Sequence, residues 1–135
     1  MLGYEALGTG ARSVLILNDW MSDCSTWDGA RPFLEPSVTW IFADLRGYGR
    51  SRDISGVHTL SEAAADVLAL VAKLELQRFS IVGHSMSSLI AFHVAQQLGA
   101  RIQAVALISP PPPSGFGADP ATIDAPSGPG PGAHR

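Results

Sequence analysis

A chain of 135 residues holds one domain and is long enough to bury a core. With 46% hydrophobic and 16% charged residues it is globular in composition, which excludes a wholly disordered protein. The net charge of −3 gives no electrostatic basis for binding nucleic acid or an anionic membrane.

The lone cysteine, Cys24, excludes an internal disulfide and a cysteine-based metal cluster, and fits a reducing compartment. The chain does not open on a basic segment followed by a long apolar run, so no signal peptide is read. No stretch reaches the ~18 apolar residues of a membrane span. The expected setting is the cytoplasm, with no membrane and no nucleic-acid partner.

Residues 3–7 read as a brief edge strand that turns at Gly8-Thr9-Gly10. Ser13-Val14-Leu15-Ile16-Leu17 is a continuous apolar run, the pattern of a strand buried on both faces. Residues 18–26 are polar and turn-like, and residues 27–34 are expected to form a short helix disturbed by Pro32. Residues 38–43, rich in β-branched and aromatic side chains, form the next buried strand. A loop starting at Asp44 runs on to about His58.

Thr59-Leu60-Ser61-Glu62 reads as a capping box opening a helix over residues 60–75. Leu60, Ala64, Val67, Val71 and Leu74 fall on one stripe of that helix. Residues 79–82 are a third buried strand, and residues 86–98 a second helix, with Gly99 placed to end it. A fourth buried strand covers residues 102–108 and stops at Ser109 and four prolines. Residues 118–135 alternate Pro and Gly with little apolar content and are expected to be disordered, leaving 1–117 as the folded domain. Buried strands alternating with helices predict an α/β fold: a mostly parallel sheet with helices on both faces.

The chemistry-bearing stretch is Gly83-His84-Ser85-Met86, set between an apolar strand and a helix. A serine there can simply cap the helix. A strand, Gly-x-Ser-x-small, helix arrangement does more: it raises the hydroxyl on a sharp turn, with the serine forced to positive φ and the glycine permitting close helix–strand contact.

With this elbow, residues 3–113 resemble the first half of an α/β-hydrolase. Asp44-Leu45-Arg46-Gly47-Tyr48-Gly49-Arg50-Ser51 is similar to that family's loop after its central strand. Trp27 stands nine residues after Asn18, where the family often carries a tryptophan. The resemblance implies a partial α/β-hydrolase fold with strands in the spatial order first, third, second, fourth, fifth. It implies hydrolysis of an ester or related carbonyl compound, with Ser85 as nucleophile. The oxyanion would be held by the backbone N–H of Met86, at the positive end of the helix, and by that of Trp20.

Two positions depart from the family pattern. Its His-Gly dipeptide is Asn18-Asp19 here, which sets a carboxylate beside a site meant for an oxyanion. Ser87 stands where the elbow usually has glycine, and is expected to tighten the helix–strand contact modestly.

Other motifs carry less. Gly47-Tyr48-Gly49 is not a dinucleotide fingerprint, because Arg52 occupies the third glycine position. His93 lies two turns into the helix after Ser85 and reads as structural, and Cys24 as a plain thiol. No metal or organic cofactor is implied.

A serine needs a base, and the fold supplies acid and His after the elbow. Downstream of the last strand only Asp119, Asp124 and His134 remain, all in the Pro/Gly tail. The chain is therefore expected to be truncated before a complete triad. The alternative is a catalytically inactive binding module on the same scaffold. The apolar strand at residues 102–108 is expected to expose an edge through which copies self-associate.

Overall fold

The computed structural model describes residues 1–19, 22–56 and 59–112. Five strands, β1 (Tyr4–Leu7), β2 (Ser13–Leu17), β3 (Thr39–Ala43), β4 (Phe79–His84) and β5 (Ile102–Ile108), form one sheet. Their spatial order is β1-β3-β2-β4-β5, as expected. β1 runs antiparallel to β3, with Tyr4 opposite Ala43 and Leu7 opposite Trp40. All other pairs are parallel.

The alternation of side chains along each strand sorts the core into two layers. Leu15, Leu17, Ile41, Ala43, Phe79 and Ile81 face one side. There they pack against α1 (Leu60–Lys73), through Ala64, Val67 and Val71, and against α2 (Ser87–Leu98), through Ile90, Ala91 and Val94. Ile16 and Phe42 face the other side and meet Cys24, Trp27 and Leu34.

That second side is covered by helical turns of the 3₁₀ type, Cys24–Trp27 and Arg31–Phe33, in place of the single short helix expected over 27–34. The reason is chemical. Pro32 has no N–H to give to the carbonyl of Asp28, so the α-ladder cannot run through. Asp23 instead caps the first turn by accepting from the N–H of Ser25 at 2.9 Å.

α1 starts as its capping residues require: the Thr59 hydroxyl accepts from the N–H of Glu62 at 3.0 Å. α2 ends at Gly99, whose φ of +55° is open to glycine without a Cβ penalty. No helix among the described residues is long and apolar enough to cross a membrane. The boundary drawn at residue 117 and the tail 118–135 lie outside the described residues.

The sheet positions the serine through Gly83. A Cβ there would sit 2.6 Å from the Ser88 Cα and 2.7 Å from the Ser87 carbonyl oxygen. Both are backbone atoms of the helix start, and neither can rotate away. Gly83→Ala should therefore cost about 2–3 kcal/mol by overpacking. Urea unfolding of the variant checks this, and a loss below about 0.5 kcal/mol would show that the helix is free to back off.

Candidate active site

Ser85 sits where β4 gives way to α2, with φ of +53°. A left-handed backbone at a non-glycine residue costs about 1–3 kcal/mol and persists only where surrounding contacts enforce it. Those contacts are visible. The Ser85 N–H donates to the Ile108 carbonyl at the end of β5, 2.8 Å away. The Ser85 and Met86 carbonyls accept from Ser88 and Leu89 at 2.9 and 3.1 Å, which begins the helix at once.

Ser87 acts as more than a tolerated substitute for glycine. Its buried hydroxyl accepts from the His84 N–H at 2.8 Å, and lies 3.0 Å from the His84 carbonyl and 3.2 Å from that of Leu17. The hydroxyl thus ties the elbow across to the end of β2. The sequence signal was present, a serine in a site that needs a small residue. Its partner in β2 is not readable from spacing.

His84 and Trp27 meet on the second side of the sheet, ring centroids 5.9 Å apart at 72°. This edge-on contact is where the tryptophan of the resemblance falls: it wedges against the elbow. The Trp27 Nε1 and His84 Nδ1 atoms are both buried without a hydrogen-bond partner among the described residues.

The loop after β3 is built around Asp44, which is 1% exposed. Its carboxylate accepts from the N–H of Cys24 at 2.7 Å, the N–H of Arg50 at 2.9 Å and the side-chain amide of Asn18 at 3.4 Å. Gly49, at φ +50°, allows this approach, since a Cβ there would lie 2.5 Å from the Asp44 carboxylate. Ser51 closes the loop, donating to the Asp44 carbonyl at 2.7 Å and accepting from the Gly3 N–H at 2.8 Å. Arg46 reaches α1, with two 2.7 Å bonds to the Asp66 carboxylate. The whole Asp44-to-Ser51 motif is therefore a brace that positions the β2 and β3 ends.

Asn18 is fully buried. Its amide also donates to the Ser22 carbonyl at 3.2 Å. The next residue, Asp19, reaches the elbow itself: its Oδ1 accepts from the Met86 N–H at 3.1 Å. Of the two N–H groups expected to serve an oxyanion, that of Met86 donates to this carboxylate. Trp20 lies outside the described residues.

No described histidine is placed to serve Ser85. His84 turns its ring to Trp27, and His93 is exposed on α2 with its Nε2 2.8 Å from Gln97 Nε2. Asp119, Asp124 and His134 lie outside the described residues. No group of three or more His, Cys, Asp or Glu that could hold a metal occurs among the described residues.

Two clefts among the described residues are lined without Ser85. One of about 510 Å³ is lined by Glu5, Cys24, Arg31, Asp44 and Arg50 among others. Several of its charges pair with one another: Arg31 pairs with Glu5 and Asp28 and lies over the Phe42 ring, 4.4 Å from its centre, and Arg50 pairs with Glu5 at 2.7 Å. Burial pushes the Cys24 thiol up from its ordinary range, and the Asp44 carboxylate adds to this against the pull of Arg50. A thiol so held is a poor nucleophile, as expected of a plain buried cysteine.

Comparison with known proteins matches residues 20–125 to a family model described as the alpha/beta hydrolase fold. A non-heme haloperoxidase of Rhodococcus erythropolis is 33% identical over 112 residues, covering 82% of this chain and 40% of that protein. A 2-heptyl-3-hydroxy-4(1H)-quinolone dioxygenase of Mycobacteroides abscessus is 33% identical over 93 residues, 68% of this chain and 35% of that protein. Among solved structures, a hydrolase from Oleispira antarctica superposes with a TM-score of 0.74 at 33% identity, covering 81% of this chain and 41% of that one. The chain spans about a third of the length of the curated relatives it matches.

Proposed function

The chain belongs to the alpha/beta hydrolase fold family, and we propose that Ser85 is its nucleophile, serving the hydrolysis of an ester or related carbonyl compound. The observation that carries this is the left-handed Ser85 between β4 and α2. A serine that merely caps a helix takes extended backbone and needs no strain.

In this reading the Ser85 Oγ attacks the substrate carbonyl and forms a tetrahedral intermediate. Its negative oxygen is held by the Met86 N–H and, as the resemblance implies, by that of Trp20. Collapse expels the alcohol and leaves an acyl-serine, and water then releases the acid. The Ser85 proton must pass to a base, and that base comes from outside the described residues. The setting proposed is the cytoplasm, supported by the free, buried Cys24.

The reading is tested on the chain itself with a fluorophosphonate probe and added imidazole as a surrogate base. Slow phosphonylation confined to Ser85, accelerated by imidazole and abolished in Ser85→Ala, is the expected result. A folded chain that forms no adduct even with imidazole would remove Ser85 from the chemistry.

A second reading is favoured by one observation. Val105, Leu107 and Ile108 of β5 are 41%, 38% and 41% exposed, on a strand whose one pairing among the described residues is with β4. Apolar strand edges recruit further strands. In this reading the scaffold is an interaction module whose partner is a second copy joined through β5. Light scattering at tens of micromolar should then show dimers or larger species, returned to monomer by Val105→Lys. A monodisperse monomer would exclude this reading.

A further inference from the structure

The contact between Asp19 and the elbow spans 67 residues of sequence, and it falls on the N–H that acyl transfer needs free. The Met86 N–H is the first donor after Ser85, at the start of α2, where partial positive charge gathers. A carboxylate oxygen at 3.1 Å from it has the charge and the hydrogen-bonding character of a tetrahedral oxyanion.

The backbone of Asp19 is also held in place. The Ser22 hydroxyl donates to the Asp19 carbonyl at 2.9 Å. The neighbouring Asn18 is fully buried, and its amide bridges the Ser22 carbonyl and the Asp44 carboxylate. Asp44 is in turn fixed by the N–H groups of Cys24 and Arg50. The brace that positions the β3 end therefore also aims Asp19 at the elbow.

We propose that Asp19 is an intramolecular occupant of the oxyanion site, an autoinhibitory contact that a substrate carbonyl must displace before Ser85 can act. The inference rests on the reading of Ser85 as nucleophile and adds a resting state to it. A neutral carbonyl oxygen is a weaker acceptor than a carboxylate at a helix N-terminus, so exchange of one for the other is uphill. Loss of one charge-assisted hydrogen bond corresponds to roughly a ten- to hundredfold change in exposure of the site.

The experiment compares the wild-type chain with Asp19→Asn, which keeps an acceptor without the charge, and Asp19→Ala, which removes the acceptor. Three readouts are taken: hydrogen exchange of the Met86 amide, its NMR shift on addition of methylphosphonate, and the rate of Ser85 phosphonylation. The Ile81 and Val82 amides of β4 serve as the control for intact fold. In Asp19→Ala the Met86 amide should exchange at least tenfold faster. Methylphosphonate should shift it at concentrations that leave the wild type unmoved, and Ser85 should label roughly ten- to hundredfold faster, with Asp19→Asn between. Equal Met86 exchange and equal blindness to methylphosphonate in all three chains would overturn the proposal. So would Ser85 labelling that is equally fast with and without Asp19, an outcome that leaves the nucleophile assignment standing. If Asp19→Ala gains the methylphosphonate response while Ser85 labels in no variant, the occupant is established and the nucleophile assignment falls.

Discussion

The structure depends on one backbone constraint: Ser85 held at positive φ in the turn from β4 to α2. The cost, about 1–3 kcal/mol, is local, whereas the contacts that offset it are drawn from the whole sheet. β5 supplies the Ile108 carbonyl, β2 supplies the Leu17 carbonyl through Ser87, and the turn before residue 28 supplies Trp27. Each such hydrogen bond contributes about 0.5–1.5 kcal/mol net, so several must act together to hold the turn. A strained serine is thus kept by long-range packing, and the order of the strands is what brings those partners to one place.

The fold was legible because its signals are local and repeated. Apolar runs marked β2, β3, β4 and β5, and the Thr59 cap and 3.6-residue stripe marked α1. The elbow was legible for a different reason, since Gly83 and Ser85 answer steric demands that few other residues meet. The helix expected over 27–34 was not, because Pro32 decided between two ladders that composition treats alike. The Ser87 bridge and the Asp19 contact were also beyond reach in detail. Both join residues about 70 positions apart, and no spacing rule encodes which carbonyl or N–H lies opposite. What the sequence did show was the oddity itself: Asp19, an acid in the loop that the resemblance implies would serve an oxyanion.

Two networks divide the labour on the carboxyl side of the sheet. Asp44, with Arg50, Ser51 and Asn18, is fully engaged in bracing loops, and the cleft it lines carries the Arg31–Glu5 and Arg50–Glu5 pairs on its wall. The elbow sits on the other side of β2, next to the Asp19 carboxylate that the brace delivers. The strained serine and the carboxylate beside it are therefore held by the same loop architecture. A family whose named members include a haloperoxidase and a dioxygenase accommodates such variation, because the fold supplies the position of the serine and the loops decide what surrounds it.

The most direct measure of the central constraint is the difference in unfolding free energy between Ser85→Gly and Ser85→Ala. Glycine ordinarily weakens a fold relative to alanine, through the greater freedom it gives the unfolded chain. At a left-handed residue the order reverses, and Ser85→Gly should be the more stable by about 1 kcal/mol or more in urea unfolding. Equal stabilities, or alanine the more stable, would contradict the account, because Ser85 would then not be held in the left-handed turn on which its proposed role as nucleophile rests.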